Sequence, residues 1–333
     1  TSRATTLTLK ATGGGDAALN KTLTFQLAAG DPRNGSYKAF ATNGTRQTLA
    51  LNFDTLTYNW TDSTNASVAG SFTEDTGGTG NYVFQSSRIT TIANTARFRV
   101  AHDAIVGAFP FRVTQSAAES YAVQPFVAAR ALETEQGALD GTFNRFGIDI
   151  GATTKTSNTS QFQISGGGTR LLRCTHNVIY RIEKCPAASL QAWSISAGAS
   201  RGSWNMVDLG DPANTATMSI AHVGNQNIFL IAGKGLTDPM TAVFRIGLPE
   251  SADWPAGTGY GTAMPGSWGA VQMLANNTST RSGIATDGSA VTATNTYFTN
   301  GTDSPLGMRL LPDTSTGATY FAMQGAKFFV IGG

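Results

Sequence analysis

Apolar and polar residues alternate with a period of two over short stretches along most of the chain. Thr48-Leu49-Ala50-Leu51-Asn52-Phe53, Ala96-Arg97-Phe98-Arg99-Val100 and Gln161-Phe162-Gln163-Ile164 show the pattern, as do Thr217-Met218-Ser219-Ile220 and Thr319-Tyr320-Phe321-Ala322-Met323. A period of two places successive side chains on opposite faces, so these stretches predict half-buried strands. Asn227–Ala232 and Ala326–Ile331 are strand-length apolar runs and predict buried strands. Asn34-Gly35, Asn43-Gly44, Gly77-Gly78, Asp287-Gly288 and Asn300-Gly301 punctuate the pattern. Asn-Gly and Asp-Gly suit turns whose central residues need positive φ, so tight hairpins are expected there. One stretch, Ser116–Gly137, has helical composition, but Pro125 splits it and leaves room for one or two short helical turns at most.

This punctuation predicts an all-β fold of antiparallel barrel or sandwich units. A Gly-Ser/Thr-aromatic step recurs at Gly70-Ser71-Phe72, Gly141-Thr142-Phe143, Gly202-Ser203-Trp204 and Gly266-Ser267-Trp268. Separately, Ala93-Asn94-Thr95-Ala96 followed by Ala101-His102 matches Ala213-Asn214-Thr215-Ala216 followed by Ala221-His222, 120 residues later. Downstream of each, Arg130-Ala131-Leu132-Glu133 resembles Arg245-Ile246-Gly247-Leu248-Pro249-Glu250. Together these suggest a tandem duplication of about 120 residues, a length that holds roughly eight strands with their turns. The expected division is an N-terminal β segment over 1–69, a first β unit over 70–200 and a second over 201–333.

Composition narrows the class. Of 333 residues 41% are apolar, enough for a sizeable core, while 13% are charged. The 23 basic and 21 acidic residues leave a net charge of +2, with no wide basic cluster in sequence to recognise nucleic acid. No run of about 18 apolar residues exists to form a transmembrane helix. Cys174 and Cys185 flank a β-rich segment and are expected to form a disulfide. That bond implies an extracytoplasmic location (secreted, periplasmic or cell-surface), with the mature chain following signal removal.

Catalytic motifs are thin. Gly198-Ala199-Ser200-Arg201-Gly202 fits the G-x-S-x-G pattern, but Ser203-Trp204-Asn205 does not read as the helix a nucleophile elbow requires, so a hairpin is expected. His102, His176 and His222 lie in or beside predicted strands and read as locally hydrogen-bonded, not as a metal set. The acid pairs Glu133/Glu135, Asp208/Asp211 and Glu250/Asp253 are not set apart from ordinary loop and strand-end acids. Gly166-Gly167-Gly168 and Gly233-Lys234-Gly235 lack a phosphate-loop pattern and read as turns. Arg97 and Arg99 read as a solvated strand face. Trp254 and Tyr260, in a Gly/Pro-rich loop, are the first choice for a ligand contact.

The function expected from sequence is a secreted or cell-surface, non-catalytic β protein without cofactor or metal. Its partner would be a small hydrophobic molecule, a glycan or a surface protein. The alternatives are a hydrolase using Ser200 or a carboxylate pair on a β scaffold, and a self-associating surface or filament subunit.

Overall fold

In a computed structural model, which describes residues 30–76, 79–113, 118–264, 266–275, 277–299, 301–312 and 319–332, the alternating stretches become antiparallel strands. The first eight are β1 (Gly35–Ala41), β2 (Arg46–Asn52), β3 (Thr57–Thr61), β4 (Ser67–Glu74), β5 (Asn81–Gln85), β6 (Arg97–Ala101), β7 (Ala104–Arg112) and β8 (Tyr121–Ala129). They pair in sequence order, and β8 returns to β1 from Lys38↔Ala129 to Ala41↔Phe126, closing a barrel. The next eight are β9 (Gly141–Ile150), β10 (Lys155–Ser165), β11 (Arg170–Cys174), β12 (Leu190–Ala197), β13 (Trp204–Asp208), β14 (Thr215–Val223), β15 (Gln226–Lys234) and β16 (Ala242–Pro249). A second barrel closes where β16 pairs with β9, from Ala242↔Ile150 to Pro249↔Phe143. Closure leaves neither barrel with a free edge.

Two open sheets follow. β17 (Gly257–Ala263), β18 (Ser267–Met273), β19 (Thr278–Ile284) and β20 (Ala290–Thr296) form one, and β21 (Met308–Pro312), β22 (Thr319–Gly325) and β23 (Phe328–Gly332) the other.

Two barrels of like strand count and size are consistent with a tandem duplication. The 120-residue match lies on equivalent elements, since β6 and β14 are each the sixth strand of their barrel, whereas of the downstream match Arg130–Glu133 follows β8 and Arg245–Pro249 lies within β16. The Gly-Ser/Thr-aromatic steps lie on inequivalent elements, at β4, at the start of β9, just before β13 and at β18. Residue 70 therefore falls inside the first barrel and residue 200 inside the second. The two barrels differ in the connection after their third strand, residues 62–66 in the first and 175–189 in the second. The longer connection carries the Cys174–Cys185 disulfide.

Local chemistry explains most of the elements. The Asn43-Gly44 turn joins β1 to β2 and Asp287-Gly288 joins β19 to β20, with Gly44 at φ +78° and Gly288 at +85°. Gly77-Gly78 and Asn300 lie outside the described residues. Two expectations are corrected. Tyr121–Ala129 is a strand, and the only helical turn in the described part of 116–137 begins at Gln136, in a 3₁₀ turn reaching Leu139. Pro125 is tolerated in β8 because its carbonyl accepts from Thr42 N just past the end of β1, so its missing N–H faces the point where β1 turns away. Ala326 and Lys327 form a turn with φ of 48° and 63°, so β23 starts only at Phe328.

The barrel interiors differ. Eleven aromatic side chains fill the first, among them Trp60, whose ring lies 4.9 to 5.1 Å from those of Phe109, Phe111 and Phe126. In the second, Phe143, Phe162, Trp204 and Phe229 pack with Ile164, Ile195, Met218 and Ile220. A further apolar cluster lies outside both barrels. There Phe40 of β1 meets Leu230, Phe244 and Ile246 on the outer face of the second barrel, and Met308, Met323 and Phe328 from the C-terminal sheet. The residues joining the barrels run along β14, with Glu133 N donating to Ile220 O and His222 N to Ala131 O.

Candidate ligand cavity in the second barrel

Strand alternation places Phe143, Arg145, Gly147 and Asp149 of β9 on one face, and Phe143 belongs to the interior cluster. By the same rule β11 turns Leu171 and Arg173 inward, while Leu172 and Cys174 pack outside with the disulfide. On β16, Phe244, Ile246 and Leu248 pack outward, so Val243, Arg245 and Gly247 face in. Three guanidiniums thus enter one barrel above its aromatic cluster.

A cavity of about 790 Å³ occupies this region. Phe162, Leu171, Trp193, Met206, Phe229 and Ile231 supply its apolar wall, and the β15–β16 connection lines it with Leu236, Thr237, Asp238 and Thr241. Small residues leave the space. A Cβ on Gly147 would lie 2.5 Å from Arg245 Cδ and 3.0 Å from Arg145 Nη2, so only glycine lets both side chains fold past it. A Cβ on Gly233 would meet nothing within 4 Å. The first barrel reaches this rim: Arg46 Nε donates to Ala232 O at 2.8 Å, and Gly44 abuts the Gly233 carbonyl so closely that a Cβ there would lie 2.1 Å from it.

The polar groups are unevenly paired. Arg245 Nη2 lies 2.6 Å from Asp149 Oδ1, and Arg245 Nη1 donates to the carbonyls of Ile148 at 2.7 Å and Phe244 at 2.9 Å. Arg145, 7% exposed, donates to the Asn158 side-chain carbonyl. Arg173 Nε and Trp193 Nε1 are buried donors without a hydrogen-bond partner. Burial, then the neighbouring Arg173 and Arg245, push the Arg145 guanidinium well below its ordinary pKa, with Asp149 opposing. Burial and then Arg245 lower Arg173 too, against Asp149 and Asp208. A guanidinium does not surrender its proton in a protein, so these shifts mark under-compensated positive charge. Of the cavity-lining side chains, Arg46, Arg145, Arg173, Lys234 and Arg245 are cationic, and Asp149 and Asp238 anionic. Five against two leaves +3, more than the net +2 of the whole chain.

The residues singled out from sequence lie elsewhere. Trp254 packs between the C-terminal sheets, its ring 5.8 Å from Tyr297 and 6.0 Å from Phe329, with Arg309 over its face at 4.9 Å. Tyr260, on β17, lies under Arg99 of the first barrel at 5.0 Å. The structure does not bring Trp254 and Tyr260 together, and neither lines the cavity. Arg97 pairs with Asp75 at 2.6 Å, so with Arg99 stacked on Tyr260 this strand face is engaged, not simply solvated. Ser200 sits in the β12–β13 hairpin, its Oγ 3.1 Å from Ser203 Oγ. The histidines have separate partners: His102 meets Lys327 Nζ at 2.7 Å, His222 meets Glu133 at 3.4 Å, and His176 Nδ1 accepts from Val178 N at 3.0 Å. Sequence reasoning missed Arg145, Arg173 and Arg245, although each shares a strand face with an interior residue or glycine. Set against protein-family models, curated proteins and solved structures, the chain matches none.

Proposed function

We propose that this chain is a non-catalytic binding protein that takes a small organic molecule into its second barrel. The observation that carries this reading is the contrast between the two interiors. One barrel is filled by eleven aromatic side chains, whereas its partner of equal strand count keeps a cavity of about 790 Å³. A duplicated filled barrel would be the simpler structural element, and unfilled volume forfeits packing energy. A cavity with apolar walls and a few convergent polar groups is the ordinary form of a small-molecule site, which spans roughly 300–1,000 Å³. The disulfide supports an extracytoplasmic setting for that binding. Native mass spectrometry of protein from its own source, beside a Gly233→Trp variant whose new ring enters the open space, tests the reading. A small-molecule adduct on the natural protein, absent from the variant, is expected. Adducts equal on both, or none on the natural protein together with no binding from a broad metabolite panel, would reject it.

A second reading, a self-associating subunit, is favoured by one feature. Among the described residues β20 (Ala290–Thr296) pairs on one side only, with β19, and its largely exposed sequence Ala-Val-Thr-Ala-Thr-Asn-Thr carries no charge or proline to guard that edge. Sedimentation at rising concentration, with Thr294→Lys as control, separates the two readings.

A further inference from the structure

The proposed binding site has a definite chemistry, and the following rests on the reading that the second barrel is a small-molecule site. We infer that its ligand is an amphipathic organic anion, with its acidic headgroup on Arg145, Arg173 and Arg245 and its apolar body against Phe162, Trp193 and Phe229.

Three observations converge. First, the three inward guanidiniums face one carboxylate, Asp149, which Arg245 already engages at 2.6 Å. Asp208 is the other acid near Arg173, and its carboxylate is held by Gln191 Nε2 at 2.6 Å and Asn214 Nδ2 at 3.1 Å. Second, the unpartnered buried groups on the cavity wall include two donors, Arg173 Nε and Trp193 Nε1. Unmet donors call for an acceptor, and an anion answers both the missing hydrogen bonds and the surplus charge. Third, the apolar surface begins at the same level as the charge. Arg173 lies directly across the β10–β11 ladder from Phe162, whose ring is stacked 5.2 Å from Phe143 and lies 4.7 Å from Phe229. Inorganic phosphate would satisfy the arginines and leave this wall in contact with water. A neutral apolar molecule would cover the wall and leave Arg145 and Arg173 without an ion-pair partner in a drier cavity, which is costly.

The test compares 8-anilinonaphthalene-1-sulfonate with N-phenyl-1-naphthylamine, which has the same rings without the sulfonate, and with inorganic phosphate. Binding is followed by fluorescence, and for phosphate by displacement. The sulfonate is expected to bind once per chain, at least about tenfold tighter than the amine, consistent with a charge-assisted hydrogen bond in a buried site. Phosphate should compete only weakly. Gly233→Trp should abolish both dyes, and Arg173→Gln should weaken the sulfonate about tenfold with the amine unchanged. Equal binding of the two dyes, both lost in Gly233→Trp, would overturn the anionic headgroup and leave the binding reading standing. Phosphate as tight as the sulfonate would overturn the apolar body. Dye binding that survives Gly233→Trp, or no binding of any probe, would overturn the binding reading itself. The ratio of the two dyes is read on the unaltered protein, so it decides the headgroup even where Arg173→Gln fails to fold.

Discussion

Arg245 and Asp149 form a diagonal ion pair at 2.6 Å across the β9–β16 ladder, and with that carboxylate engaged, Arg145 is left with the Asn158 amide as its hydrogen-bond partner. Of the three inward guanidiniums only Arg245 is ion-paired among the described residues, Asp208 beside Arg173 being hydrogen-bonded to Gln191 and Asn214, so positive charge is in excess inside the barrel.

This arrangement should cost the ligand-free protein stability. Replacing a buried, under-paired charge by an apolar side chain of similar length is often neutral or stabilising, by about 1–4 kcal/mol. Arg145→Met is therefore expected to raise the urea midpoint of the free protein and to weaken binding of the anionic dye. Equilibrium unfolding at unchanged m-value checks it. Loss of stability on the scale of a core truncation would show that Arg145 is structural.

The first barrel should respond in the opposite way. Trp60 is 2% exposed and packs against Phe109, Phe111 and Phe126, so Trp60→Ala should destabilise by about 3–5 kcal/mol. Gly233→Trp, entering open volume, should change stability by less than about 1 kcal/mol. Matched thermal and urea unfolding of both variants compares a filled interior with a hollow one.

Much of the scaffold could be read from the chain. Period-two stretches became strands, Asn43-Gly44 and Asp287-Gly288 became turns, and the Ala93 to His102 match fell on the sixth strand of each barrel. The cavity could not be read this way, and β9 shows why. Its apolar residues Phe146, Ile148 and Ile150 alternate with Arg145, Gly147 and Asp149, so period-two reasoning puts the first set inside and the charges in water. In the structure Phe146 and Ile148 do pack against apolar residues, but outside the barrel, where it meets its neighbours. Both faces are covered, and the inside-outside assignment inverts. Local sequence points to Trp254 because an aromatic in a Gly/Pro-rich loop looks exposed. It packs instead on Tyr297, just past β20, and on Phe329 of β23, both more than forty residues downstream and invisible to local pattern.

The disulfide closes a loop in the second barrel's long connection, with Cys174 and Cys185 eleven residues apart. Loop-closure entropy assigns such a bond roughly 3 kcal/mol. The same connection is tied to β10 by Ile182 N, which donates to Gln161 Oε1 at 2.7 Å. Cys174→Ser with Cys185→Ser should lower unfolding free energy by up to about that amount. Dye binding should persist, because Cys174 and Leu172 face outward. Loss of binding with an otherwise folded protein would tie the loop to the cavity.

Acid should weaken the fold through carboxylates held low in the native state. Asp31 is lowered chiefly by its hydrogen bonds to Arg33, and Asp62, Asp238 and Asp287 by the hydroxyls of Thr64, Thr241 and Ser289. A depressed folded-state pKa gives stability that is complete above the ordinary carboxylate value, about 4, and is lost as pH falls through the lowered one. Asp31→Asn should therefore flatten the decline of stability below about pH 4 and leave stability at pH 7 lower than in the parent. An unchanged acid slope in urea titrations across that range would contradict the role given to Asp31.

The location of a bound anion decides whether the second barrel is a binding site. A crystal structure of the protein grown with 8-anilinonaphthalene-1-sulfonate should place the sulfonate within hydrogen-bond distance of Arg173 and Arg245. The rings should lie against Trp193 and Phe162. Dye on the C-terminal sheets or between molecules, with the barrel interior empty, would contradict the account.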